Sequence, residues 1–205
     1  MGRVSREQAE RNRERVVEAA CRMFRQHGVE NVSIADVMAE AGMTPGGFYK
    51  QFASKEALID EAFELAFKKA SGSWTEVRKR HSGGAYRGLY ALVRHYFKPR
   101  AKEQSCPMLA FAAQVSHQPT DAHATDIYGN GVETLFSQFR EEALKQTGAK
   151  GAKKPSEEDV MVLFAAMLGT GLVTRAVGRR PWVDRMQDAV LSALPKPEKD
   201  DLGIA

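Results

Sequence analysis

Apolar residues recur at helical spacing through most of this chain, and the period-two alternation of strands is absent. Val16, Ala20, Met23 and Phe24 predict a first helix from about Glu7 to His27, stopped by Gly28. A long helix is expected from Ser54 to about Arg80, with Leu58, Ile59, Ala62, Phe63, Ala66 and Phe67 inside and a possible kink at Ser71-Gly72-Ser73. Further helices are expected over about Tyr86–Lys98, from Cys106-Pro107 to about His117, and onward from Pro119. The Cys106–His117 piece is apolar nearly all round and reads as a central helix. Two late helices follow, one capped by Ser156 and running to Val177, one opened by Pro181. Residues 1–8 read as a mobile arm, Ser82-Gly83-Gly84 as a turn, 148–155 as a basic linker, and the tail beyond Pro195 as disordered. The fold class is all-α.

Between the first two long helices lies a denser stretch, Ser33 to Lys55. Ser33 with Asp36 forms a capping-box pattern, and Val32 and Val37 occupy the staple positions around it. Gly42 ends that short helix, as a left-handed residue does. Thr44 is expected to cap a second helix that opens Pro45-Gly46-Gly47, and Ser54 a third. Two short helices joined through a glycine read as a helix-turn-helix. Paired glycines cost a helix roughly 1 kcal/mol each relative to alanine. A surface that must lie flat on a phosphate backbone or base edge justifies them, and bare N–H groups at a helix start favour anions. The candidate DNA contacts are Ser33, Thr44, Pro45, Gly46, Gly47, Tyr49, Lys50 and Lys55. Thr44 and Lys50 suit base contact; Tyr49 and Lys55 suit phosphate.

The stretch resembles the DNA-binding motif of the TetR family of bacterial transcriptional regulators. The residues that carry the likeness are Ala41-Gly42-Met43-Thr44, Gly47-Phe48-Tyr49-Lys50-Gln51-Phe52 and Ser54-Lys55-Glu56-Ala57-Leu58. The likeness spans about residues 10–65, and Gly46-Gly47-Phe48-Tyr49 is similar to one common subgroup. Met38 stands where alanine is usual and Gln51 where histidine is usual. The resemblance implies a head over 1–53 and a ligand-binding and dimerisation body over 54–205. It implies a homodimer through about 156–194, a palindromic double-stranded operator, and release by a small-molecule effector that moves the helix after the motif.

Charge adds emphasis. The net charge is +4, and residues 1–25 carry seven arginines against four glutamates. That favours a polyanion partner beside the motif. A salt-bridged face, with Glu14 and Glu18 pairing to Arg11, Arg15 and Arg22, is equally compatible. The two cysteines, Cys21 and Cys106, form no CxxC, which argues against a disulfide framework or zinc site. The polar start and the lack of an 18-residue apolar run argue against a signal peptide and a membrane span, so a cytoplasmic or nucleoid location is expected. No cofactor and no metal is expected.

The body is read as a sensor with Phe67, Trp74, Met108, Phe111, Gln114, His117 and Tyr128 as candidate pocket residues. Cys106, before Pro107 and after Lys98, Arg100 and Lys102, is a candidate redox or electrophile sensor, against the plainer reading of a core thiol. A metal pair from His117 and His123 is the weaker thought. The competing function from another class is an all-α thiol enzyme using Cys106 with His117 or His95, and no ordered triad supports it. A third reading is an interaction protein whose motif no longer binds DNA; the retained glycines, Tyr49 and Lys55 argue against it.

Overall fold

The computed structural model describes residues 6–82, 86–119, 122–145 and 155–195, and no strand occurs among them. The helices are α1 (Arg6–His27), α2 (Ile34–Glu40), α3 (Lys55–Arg80), α4 (Arg87–Phe97), α5 (Pro107–Ala110), α6 (Ala112–Ser116), α7 (His123–Leu144), α8 (Glu157–Val177) and α9 (Pro181–Ala193). Short 3₁₀ segments cover Pro45–Lys50 and Lys102–Gln104. The expected arm up to residue 5, the glycines of the 82–84 turn, the linker up to residue 154 and the tail from residue 196 lie outside the described residues.

The chain packs as two compact units, one of residues 1–70 and 100–132, the other of 71–99 and 133–205. In the first, α1 packs on α2, α2 on the Pro45–Lys50 segment, and α1 on α5. Its core contains Val16, Ala20, Phe24, Met38, Phe48, Leu58 and Phe63, all essentially without exposure. The Phe63 and Phe111 rings stack with centroids 3.9 Å apart. Gly131 gives Phe67 room, since a Cβ there would stand 2.3 Å from the Phe67 ring.

In the second unit, α4 packs on α8 and α9, and α8 on α9. Leu89, Leu92, Leu135, Phe139, Met167 and Val183 are fully buried. Phe164 meets both Phe136 and Phe139 edge to face. The Glu142 carboxylate is buried and held by Arg78 Nε at 2.7 Å and by Lys145. Gly88 leaves space for it. A buried carboxylate needs such partners, because an unpaired charge out of water is costly.

Several expectations need correction. Ser71-Gly72-Ser73 neither ends nor interrupts α3. Gln138 Nε2 donates to the Ser71 carbonyl and hydroxyl and to Thr75 Oγ1, tying that stretch to α7. The helix expected over Cys106–His117 is split at Phe111, which serves as C-cap of α5 and N-cap of α6. Phe111 itself is buried, but α6 buries none of its residues, so it is a surface element rather than a central helix. The pairing expected for α1 also differs. Glu18 meets Lys69, Arg22 meets Glu40, and Arg15 donates to the Ala41 carbonyl. Arg6 and Arg11 do pair along the helix, with Glu10 and Glu7, whereas Arg15 and Arg22 brace neighbouring segments that packing brings close. Finally, α8 is long and apolar enough to cross a membrane by length and composition, because small and apolar residues fill all of it but its acidic first turn and Arg175 near its end.

Candidate nucleic-acid interface

The head is assembled by caps that the sequence encodes locally. Asp36 N–H donates to Ser33 Oγ at 3.1 Å, and Ser33 N–H donates back to the Asp36 carboxylate at 2.9 Å. The Ser33 hydroxyl also donates to that carboxylate, at 2.6 Å, and these bonds hold Asp36 below the usual carboxylate range. Ser33 is therefore occupied in its own cap. At the other end of α2, Gly42 takes φ +69°, and Arg15 Nη2 donates to the Ala41 carbonyl at 2.6 Å. That guanidinium stands 3.0 Å from where a Gly42 Cβ would be.

The next segment departs from expectation. Pro45–Lys50 is a 3₁₀ turn rather than an α-helix, and Thr44 sits at its N-cap position without a side-chain cap bond. Two glycines and a proline weaken the α-helix relative to tighter turns. Phe48 is wholly buried and anchors the segment by stacking on Phe52 at 5.3 Å. Most of the segment around that anchor faces outward, with Gly47 half-buried. Thr44, Pro45, Gly46 and Lys50 are exposed, and Tyr49 is 73% exposed. The fold does not require the glycines. Neither has positive φ; a Cβ at Gly46 would meet nothing within 4 Å, and one at Gly47 would rest 3.5 Å from the Met38 methyl. Met38 thus fills, as a fully buried side chain, the space under the turn.

Lys55 lies half-buried and donates from Nζ to the Val29 carbonyl at 3.1 Å. It ties the start of α3 to the turn after α1. Arg13, missed in the sequence as a head residue, makes the other tie. Its guanidinium holds both Glu61 carboxylate oxygens and lies 4.3 Å from the centre of the Phe52 ring. No local pattern reveals it, because the three residues are remote along the chain.

The structure scatters the candidate sensor residues. Met108 and Phe111 are core residues; Phe67 packs edge to face with Tyr128, and the Tyr128 hydroxyl donates to the Met108 carbonyl at 2.7 Å. Burial pushes the Tyr128 phenol up, with the nearby Cys106 adding to it. Trp74 is buried in the second unit. Gln114 and His117 line an open space, a groove of about 540 Å³ whose opposite wall is the α1–α2 turn. Cys106 is half-buried at the N-cap of α5. Cys21 is buried in α1, and burial raises its thiol pKa. His123 is engaged with Asp60 at 2.8 Å, and His95 Nε2 lies 3.0 Å from Ser73 Oγ.

Residues 16–62 match the family model of bacterial regulatory proteins, tetR family. The chain is 26% identical over 104 residues to the HTH-type transcriptional regulator AcrR of Shigella flexneri, covering 51% of this chain and 48% of that one. It is 35% identical over 80 residues to TtgR of Pseudomonas putida, covering 37% and 38%. The chain thus spans half or less of the curated relatives it matches. Fold similarity reaches further. A TetR-family regulator from Cytophaga hutchinsonii superposes with a TM-score of 0.73 at 18% identity, over 94% of this chain and 96% of that one. A transcriptional regulator from Saccharomonospora viridis in complex with choline gives 0.73 at 23%, over 89% and 95%. The reduced form of E. coli NemR gives 0.72 at 19%, over 88% and 95%. Residues 16–62, from α1 into α3, therefore match the model of bacterial regulatory proteins of the tetR family, and the chain shares the all-α fold of solved transcriptional regulators.

Proposed function

We propose that this chain is a sequence-specific DNA-binding transcriptional regulator, acting as a homodimeric repressor released from a palindromic operator by a small-molecule effector. The observation that carries this reading is the outward surface of Thr44–Lys50. It presents two glycines that the fold does not need, beside an exposed tyrosine and lysine. Thr44, Pro45, Gly46, Gly47, Tyr49 and Lys50 make the DNA contacts, with base readout from Thr44 and Lys50 and phosphate contact from Tyr49. Ser33 and Lys55 act from the edges of that surface, through the α2 cap and the start of α3. Residues 1–53 serve as the head and 54–205 as the body, and the protein works where its DNA lies, in the cytoplasm or nucleoid.

Dimerisation through 156–194 is supported by apolar side chains left in the open. Met161, Val162, Leu172 and Val177 on α8 and Trp182 on α9 are each more than 40% exposed. A membrane-spanning α8 fits less well, because α8 packs on α9 and α4 and joins α7 through an Arg140–Glu157 ion pair. A two-fold pair of heads calls for two operator half-sites. Of the candidate sensor residues, Gln114 and His117 line a groove, and the choline complex of a similar fold supports a small-molecule signal.

The test is capture and sequencing of DNA fragments bound by the pure protein. Paired half-sites are expected, with binding that weakens steeply with salt. Capture without a shared sequence sinks the reading. A Tyr49→Ala variant is the sharper site probe than Lys55→Ala, since Lys55 also anchors the Val29 turn.

A second reading places the signal at Cys106. Its position at the N-cap of α5, half-buried beside Tyr128, supports a thiol that reacts with oxidants or electrophiles. A Cys106→Ser protein that still releases operator on treatment with hydrogen peroxide removes it.

A further inference from the structure

The groove facing Gln114 and His117 has a composition of its own. Gly28, at φ +83°, ends α1 and turns the chain, so that Val29, Glu30 and Asn31 form one wall. The other wall is Ala110 at the end of α5, Ala113 and Gln114 of α6, its C-cap His117 and the following Gln118. The volume, about 540 Å³, lies within the range of roughly 300–1,000 Å³ that small-molecule sites occupy. The alanines keep it open, and its rim holds three carboxamides, each able to donate and accept. Asn31 Nδ2 already donates to the His27 carbonyl at 3.0 Å, which steadies that side chain. The carboxylate of the lining is Glu30, and no lysine or arginine lines the groove.

We propose that this groove between the α1–α2 turn and α6 binds a small molecule, neutral or cationic and bearing hydrogen-bonding groups, as the effector. The inference rests on the regulator reading and deepens it. Carboxamides recognise amide or ring nitrogen and oxygen edges, and Glu30 favours a cation and repels an anion. The wall it touches is coupled to the head. Val29 offers its carbonyl to Lys55, the first residue of α3, five residues on from the end of the Pro45–Lys50 surface. An occupant that bears on the turn shifts this bond and so the setting of the DNA-facing segment. α6, lacking buried residues, is the movable partner in that exchange.

Three probes of one shape separate the charges: nicotinamide, 1-methylnicotinamide and nicotinate. With the full chain labelled with nitrogen-15, the first two are expected to shift the side-chain amide signals of Asn31, Gln114 and Gln118. Nicotinate is expected to bind at least about ten-fold more weakly. Glu30→Gln should erase the preference for the cation over nicotinamide. Ala113→Trp, which fills the groove, should abolish the shifts, with its fold checked by thermal melting; Gln114→Ala should weaken binding about five-fold or more. Saturating 1-methylnicotinamide should raise the operator Kd by about five-fold, the low end of ordinary allosteric coupling. Nicotinate acting as strongly as the cation, no amide responding to any probe, or shifts that survive in a folded Ala113→Trp protein would each overturn the proposal. Operator binding by the unliganded protein judges the regulator reading separately.

Discussion

Arg13 grips Glu61 through both guanidinium nitrogens, at 2.5 and 2.6 Å. The same group lies over the Phe52 ring, so one side chain joins α1, the residues just after the Pro45–Lys50 turn, and α3. Both partners are about a third exposed, so water screens the pair. A double-mutant cycle with Arg13→Ala and Glu61→Gln should give a coupling of about 0.5–1 kcal/mol in urea unfolding. Arg13→Ala alone should cost more than Glu61→Gln, because it also removes the cation–π contact. Equal losses would show that the ring contact contributes nothing.

Two glycine substitutions should part company. Gly46→Ala adds a methyl that meets nothing, so stability should hold or rise by about 0.5 kcal/mol, while operator affinity falls about ten-fold or more. Gly131→Ala drives a Cβ to 2.3 Å from Phe67 Cγ and should cost about 1–3 kcal/mol of stability. Melting curves and operator titrations on both proteins check this. A Gly46→Ala protein with parental DNA affinity would remove the reason given for that glycine.

Lys50 is exposed at the end of the 3₁₀ turn. With Lys50 reading a base, the loss in Lys50→Ala should fall on one operator position; a uniform loss on every sequence, with the slope of log K against log salt lower by about one, would make it a phosphate contact instead. Salt-dependent titrations on operator and scrambled DNA decide between them.

Val162 is 68% exposed on α8. Val162→Glu should split the dimer while leaving the helical content intact, because the change touches no core contact. Light scattering after gel filtration checks this. A Val162→Glu dimer as tight as the parent would move the interface elsewhere.

The His123–Asp60 pair should be visible in pH. The Asp60 carboxylate, with Glu64 and Asp126 adding to it, raises the His123 pKa. The folded value lies above the unfolded one of about 6.5, so the stabilising contribution is full below that pH. It is lost as pH rises through the folded value. An NMR titration should find the His123 ring above about 6.5, and Asp60→Asn should return it to the ordinary range. A parent ring that titrates at or below that value means the bond does not persist in solution.

Features legible in the sequence are those with a local cause. Capping by Ser33 and Ser156 follows from a hydroxyl three residues ahead of a carboxylate, and both capping boxes form. Gly42 and Gly28 stop their helices because they alone enter positive φ cheaply. The periodic faces of α1 and α3 supply Val16, Ala20, Phe24, Leu58 and Phe63 to the core, as helical spacing requires. Tertiary structure decided the rest. The form of Pro45–Lys50 depends on Phe48 and Met38 packing beneath a turn too glycine-rich to hold an α-helix alone. The break at Phe111 follows from burying that ring on Phe63, with α6 left outside. The partners of Arg13, Arg15, Arg22 and Lys55 lie 48, 26, 18 and 26 residues away. Short-range periodicity carries no record of such pairs, because they exist only once the helices have packed.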